Sequence, residues 1–487
     1  MIQPPYLEVY RQVELLGQRG KEQSTVLREQ PSTNLQNIEA VLDGGASVWL
    51  INGLIALLIV LVLALPPISL PGRVIAPGYT NISRDGGSVA DPDGTQLTLK
   101  AGTLSKDVKL KMVSVPRLDL LQGNVEPKVL DAAQNLPPNL ALKSPLYQIY
   151  TRGQASSQAH LSIPIPNDSE PYKTLDLYSW TGQDWAWIPH KLISEDNTLE
   201  SDLSYIPPSV AVMQTAALKP RAATELNAPV KLNENIGLAE VNPRLFYLQG
   251  AGSIGESFTL PSAQMVPNAE LIPVLHNVQQ GVVRSDLTDN MLIDAQLWRT
   301  HIDQVVALLT TRGYPGIEID YSQVDPELRG EFTAFITELA KALHENSKKL
   351  SVRVDPPRQI AEDRWETGAY DWVALGLAAD SIVVPALQDP QAYVPGGQME
   401  ALLSWATGQV DRYKLRFLIP SASYEVSNGV YRPIPYDQAL ASVGRVVNHS
   451  GNTLVNPGQT VQLNVADLGQ QRGFVFDPQT QIGIHEY

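Results

Sequence analysis

The sequence predicts a multidomain chain: a transmembrane helix, then an all-β sandwich, then a (β/α)8-type TIM barrel. Three observations predict it. The stretch Gly44–Gly72 carries no charge and contains an unbroken apolar run, Leu54–Leu65. From about Val74 to Met213, short segments alternate apolar and polar residues with turn signals between them. From Asn242 onward, short apolar strands alternate with helical stretches over about 245 residues, a length and pattern that suit a parallel barrel.

The first element is the membrane segment. A helix needs about 20 apolar residues to cross ~30 Å of hydrocarbon, and residues 48–70 meet that need. Trp49 marks one interface, and Pro66-Pro67 stops the helix at the other. The residues ahead of it, 1–47, are too many for a signal-peptide n-region, so an uncleaved anchor is expected. Arg73 and Arg84 lie downstream, so the basic residues of the tail (Arg11, Arg19, Lys21, Arg28) do not fix the orientation by themselves. The size and content of the C-terminal part favour a cytoplasmic tail at 1–47 and an extracytoplasmic remainder.

The second element spans 74–213. Alternation is clear in Thr95–Leu99 and Val108–Val113, and Asp91-Pro92-Asp93-Gly94 is a turn. Further strands are expected at Leu146–Thr151, Ala159–Ile165, Thr174–Trp180 and Ala186–Leu192. Trp185 and Trp187 share a strand face, and packing is expected for them rather than a sugar platform. Residues 214–241, rich in Ala, Pro and Lys, read as a linker.

The third element spans 242–487. Its strands are expected at Leu245–Leu248, Leu271–His276, Gly316–Tyr321, Leu350–Val354, Ser381–Ala386 and Phe417–Pro420. A helix is expected over Glu327–Asn346, with Phe332, Phe335, Ile336, Leu339 and Leu343 on one stripe.

Composition sets outer limits. The 487 residues are 43% hydrophobic and 18% charged, which suits folded domains. A net charge of −15 argues against nucleic acid as a partner. There is no cysteine, hence no disulfide, thiolate metal site or cysteine nucleophile. Histidines show no i, i+4 pair for zinc, and no P-loop or G-x-S-x-G elbow occurs, so no metal or cofactor is expected. Gly250, Gly252 and Gly255 formally match G-x-G-x-x-G, but the residues after them do not read as the helix a dinucleotide needs.

Two stretches resemble known families. Gly86–Val115 and Leu177–Pro189 resemble the β-sandwich module of ankyrins and netrin receptors, which implies a transmitting or spacing role. Gly313–Val354, with Leu271–Asn277, Ala369–Ala379 and Lys414–Pro420, resembles glycoside hydrolase family 18, the chitinase-like barrels. That family carries D-G-x-D-x-D-x-E at the end of a barrel strand. The resemblance implies substrate-assisted hydrolysis, in which the Glu protonates the leaving oxygen and the sugar's own N-acetyl group attacks.

Here the signature is degenerate. Pro315 stands for the first Asp, Glu318 for the second, and Asp320 for the third. Ser322 falls where the acid belongs, and a hydroxyl is far too weak an acid for that task. The family's Met-x-Tyr-Asp, which holds the acetamide, matches Pro385-Ala386-Leu387-Gln388. No tryptophan follows Trp405, although the family closes with a strand carrying one. The barrel is thus open, or the reading frame is truncated, or another segment closes it. Expected binding residues are Asp320, Tyr321, Ser322, His276 and Asn277, with a strand-end cap as the rival role for the last two. The expected partners are the lipid bilayer and a glycan. A scaffold or binding protein is favoured over an active glycosidase, and a signalling adaptor is a third reading.

Overall fold

In the computed structural model, the period-two alternation after residue 80 builds two facing antiparallel sheets. The structure describes residues 78–419, less short stretches at 155–157, 220, 229–237, 261–268, 362 and 388, together with strand backbone between 423 and 486. The expected membrane span 48–70 lies outside these residues. Among the described residues no helix is long and apolar enough to cross a membrane.

One sheet runs β1 (Thr80–Ile82), β4 (Val108–Val115), β6 (Leu146–Arg152), β12 (Ser209–Thr215), β8 (Leu175–Trp180), β9 (Trp185–Ile188), with β5 (Leu140–Leu142) also on β12. The other runs β10 (Lys191–Ile193), β11 (Thr198–Leu203), β7 (Ala159–Pro164), β3 (Gln96–Leu99), β2 (Gly87–Ala90). Alternate residues such as Leu97, Leu99, Val108, Leu110, Leu161, Ile163, Val210 and Val212 fill the space between them. The expected strand over 186–192 is really two strands, β9 and β10, which belong to different sheets.

Two short helices, Arg117–Gln122 and Pro127–Gln134, cap the outside of the first sheet. Trp187 is buried with Leu120, Val129 and Leu142, and the Trp185 Nε1–H donates to the Ala132 carbonyl at 3.0 Å. Both tryptophans therefore pack, but under the helices rather than between the sheets.

The stretch expected as a linker is structured at both ends. β12 ends at Thr215, and β13 (Ala223–Leu226) pairs in parallel with β14 (Glu240–Pro243), which pairs with β17 (Glu270–Leu271). Beyond a break at Arg244 and Leu245, β15 (Phe246–Leu248) carries a short antiparallel β16 (Ile254–Glu256) at its edge. The parallel strands then follow in chain order: β15, β18 (Val274–His276), β21 (Gly316–Asp320), β22 (Lys349–Arg353), β25 (Ser381–Pro385), β26 (Leu415–Leu418). Two hairpins, β19–β20 (Val278–Gln279 with Val282–Val283) and β23–β24 (Arg358–Ala361 with Arg364–Glu366), sit in the loops after β18 and β22.

Neighbours in sequence order are the winding of a (β/α) barrel rather than of a doubly wound sheet. Helices Ala295–Arg312, Arg329–Glu345, Trp372–Ala378 and Gln398–Gln409 make the crossovers. The helix Arg329–Glu345 buries its expected stripe fully, against Ile317, Ile319, Leu350 and Val352 of the strands. Among the described residues β13 and β26 do not pair, and a cavity of about 790 Å³ lies between them. The last strands, β27 (Ser423–Ser427), β28 (Val430–Ile434), β29 (Val447–His449), β30 (Val461–Asp467), β31 (Gln470–Asp477) and β32 (Ile482–Glu486), form a separate sheet.

Residues 80–487 cluster as one compact unit. Asp176 of β8 is fully buried and takes a two-pronged pair from Arg412, at 2.7 Å to Nε and 2.9 Å to Nη2. The His190 amide donates to the Gly408 carbonyl at 3.0 Å, and a Cβ on Gly408 would meet the His190 carbonyl at 2.3 Å. Removing one partner of such a buried pair costs about 3–5 kcal/mol. After proteolysis between residues 216 and 239, the wild-type modules should elute together on gel filtration, whereas Asp176→Ala should let them separate. Separation of the wild-type pieces would show that the interface does not hold.

Candidate functional site

The parallel strands put their apolar residues outward against the helices and their polar residues inward. Glu318 and Asp320 on β21, Ser351 and Arg353 on β22, and Ser381 on β25 are all buried on that inner face. A barrel interior is usually filled with branched apolar side chains. Here it is filled with charge. Arg353 donates to Glu318 from Nε at 2.8 Å and from Nη2 at 2.5 Å, pairs with Glu225 of β13, and lies 3.3 Å from Asp320. Arg244, in the break between β14 and β15, donates to Asp320 at 2.5 Å and lies 3.6 Å from Glu225. Arg416 and Asn242 both bond Glu240 nearby, at 2.6 and 2.8 Å.

Three carboxylates thus face two guanidiniums, one negative charge in excess. Burial raises Glu318 to about 7, against the pull of Arg353, so this group carries the surplus proton most readily. Burial would also raise Asp320, but Arg353 and Arg244 outweigh it and hold that carboxyl below its usual range. Burial opposes the charge on Arg353, and Glu318, Asp320 and Glu225 outweigh it in turn.

The mouth lies above this network, at the carboxyl ends of the strands. The Ser322 hydroxyl donates to Asp320 at 3.1 Å. Its backbone is clamped by Asn277, whose Oδ1 accepts from the Ser322 amide at 3.1 Å and whose Nδ2 donates to the Ser322 carbonyl at 2.8 Å. Asn277 is wholly buried and also reaches Thr288, so it is the strand-end cap and has no free group for a ligand. Tyr321 is a correction of the same kind. It is buried against Phe335, with its hydroxyl 2.7 Å from His301 Nε2, and presents nothing to the mouth. His276 is nearly buried, accepts the Val278 amide at Nδ1, and stacks on Tyr247. Burial first, and Arg244 second, hold it near 4, so it is neutral at ordinary pH.

Next to Ser322 is a carboxyl that the sequence reading passed over. Asp355, two residues past β22, accepts the Gln323 amide at 2.8 Å and lies beside the hydroxyls of Tyr370 and Ser322. Burial lifts it above the usual carboxylate range. It borders a cleft of about 800 Å³ roofed by the β23–β24 hairpin. Leu387, which the sequence resemblance sets against an acetamide-binding Tyr, packs with Trp365 and Met399; Gln388 lies outside the described residues.

Arg244, Arg353 and Glu225 were equally unforeseen. The signal was present for one of them: Lys-Leu-Ser-Val-Arg-Val puts a cation on an otherwise apolar buried strand, and a buried cation requires partners. No group of acids and histidines among the described residues is arranged to hold a metal ion.

No family model matches the chain. Stretches of it are similar to curated bacterial glycosylases. The uncharacterised glycosylase YvbX of Bacillus subtilis is 24% identical over 148 residues, covering 29% of this chain and 42% of that protein. The cortical fragment-lytic enzyme of Bacillus anthracis is 24% identical over 229 residues, covering 43% of this chain and 52% of that protein. The chain therefore spans about half or less of the length of these relatives. The crystal structure of the spore cortex-lytic enzyme SleL of Bacillus megaterium matches 75% of this chain and 88% of its own, at 14% identity and a TM-score of 0.41.

Proposed function

We propose that this is a membrane-anchored, extracytoplasmic protein of the glycoside hydrolase family 18 type that does not hydrolyse glycan, and that it binds a peptidoglycan- or chitin-like polysaccharide or serves as a surface scaffold. One observation carries the reading. Asp320, beside the Ser322 that the resemblance sets at the acid's position, is already clamped by Arg244 and Arg353. A carboxylate so engaged is not free to orient an acetamide, and a hydroxyl does not protonate a leaving oxygen. The similarity to glycosylases supports the barrel's ancestry in glycan chemistry.

The test is co-sedimentation of the full chain with insoluble chitin and with peptidoglycan sacculi. Binding to one of them with no release of reducing ends is the expected result. Release of reducing ends favours the second reading, an active glycosidase, for which Asp355 at the cleft is the specific support. In that case Asp355→Asn should abolish it.

The membrane part rests on the run at 48–70 alone. Protease added to intact cells should degrade the part after residue 74. Protection until the membrane is opened would reverse the orientation.

A further inference from the structure

The cleft beside Asp355 has a lopsided chemistry. Its wall carries three guanidinium groups, Arg329, Arg358 and Arg364, and an apolar side formed in part by Ile360 and Trp365. Its two carboxylates are both committed. Asp355 takes the Gln323 amide, and Glu366 is held by Arg358 across the hairpin, at 3.0 Å to Nε. Arg329 spends Nη1 on Thr367 and the Gly368 carbonyl, at 2.8 and 2.9 Å. Among the described residues the Arg364 guanidinium, exposed on β24 with Asp363 as its charged chain neighbour, makes no side-chain hydrogen bond or close ion pair. Guanidinium groups only donate, and their planar fork matches a carboxylate. The cleft thus offers spare donors and no spare acceptor anion, in a chain whose net charge is −15.

We infer that this cleft binds a carboxylate-bearing glycan, with Arg364 gripping the carboxylate and the exposed Ile360 lying against sugar carbons. The inference rests on the glycan-binding reading above and narrows it to a sugar chain that carries carboxylates, against a neutral chitin-like one. The length fits: the cleft's 800 Å³ is the size of a small-oligomer site. The hairpin β23–β24 supplies both the free cation and the apolar Ile360, which is 45% exposed.

The experiment is calorimetric titration of the full chain in detergent with three probes: trigalacturonate, tri-N-acetylchitotriose and citrate. Trigalacturonate should bind more tightly than the other two and weaken as salt rises. A charge-assisted contact of this kind is worth roughly ten-fold in affinity, so Arg364→Gln should weaken trigalacturonate by about that factor. The same change should leave unfolding by heat unaltered, because the side chain is exposed. If the neutral trimer binds as well and Arg364→Gln changes nothing, the acidic-glycan inference is overturned while glycan binding survives. Equal binding of citrate overturns the sugar part of it. Binding of neither trimer overturns this inference, and sedimentation with chitin and sacculi then decides separately whether the glycan reading stands.

Discussion

Arg353→Ala should destabilise the barrel by about 3–5 kcal/mol, the cost of leaving buried carboxylates without their partner. Arg353 is the hub: among the described residues it alone touches Glu318, Asp320 and Glu225 together. Without it, Arg244 is left with Asp320 and Glu225, and Glu318 has no cation among the described residues. Arg353→Lys should recover only part of the loss, since one ammonium does not reproduce a fork that contacts carboxylates on two strands. Urea unfolding followed by circular dichroism measures both. A loss under about 1 kcal/mol for Arg353→Ala would place the network among the weak, solvated ion pairs.

The second large effect is an acid limb in stability between about pH 6.5 and pH 4. Burial holds both His276 and His301 near 4, below the ordinary value of 6.5. His301 is fully enclosed, bonded to the Gly252 carbonyl at 2.6 Å and to the Tyr321 hydroxyl at 2.7 Å. Each histidine is neutral when folded but protonates once unfolded. Its contribution is therefore complete above pH 6.5 and lost as pH falls toward 4. Glu318, raised to about 7, works the other way: its contribution is present below 4.5 and lost as pH climbs through 7. Each histidine should add roughly 3 kcal/mol of stability as pH rises across the window, opposed by Glu318 and by Asp289, Asp355 and Asp411, which burial also raises. His301→Gln, which keeps one donor and one acceptor, should flatten much of that rise in the urea midpoint. An unchanged slope would contradict the assignment.

The legible parts of the chain were those set by local pattern. The helix Arg329–Glu345 was readable because its apolar residues recur at the helical period, and the barrel strands fall within one or two residues of expectation except Leu271–His276, which breaks into β17 and a β18 that begins only at Val274. The helices at 117–134 were missed, although Pro116 and Pro127 mark their starts and Gly123, at φ 72°, ends the first. They are short, and their leucines gave no sustained period. β13 was missed for a different reason. Ala-Thr-Glu-Leu has no pattern of its own, and its place is set by parallel pairing with a strand that begins at Glu240. The site divides in the same way. Ser322 is set against the acid's position by the resemblance alone, whereas the charges of Arg244, Arg353 and Glu225 come from three separate segments, and only the fold brings them to one point.

The most direct test is hydrolysis of N-acetylglucosamine tetramer by the full chain, by Ser322→Glu and by Asp355→Asn. A placed general acid is worth about 10²–10⁴-fold in rate. The account predicts no product above the buffer blank from the wild type. It also predicts none from Ser322→Glu, because Asp320 stays clamped by two arginines and Leu387 offers the acetamide no hydroxyl. Wild-type turnover that disappears in Asp355→Asn, Glu318→Gln or Asp320→Asn would contradict the account and establish an active glycosidase.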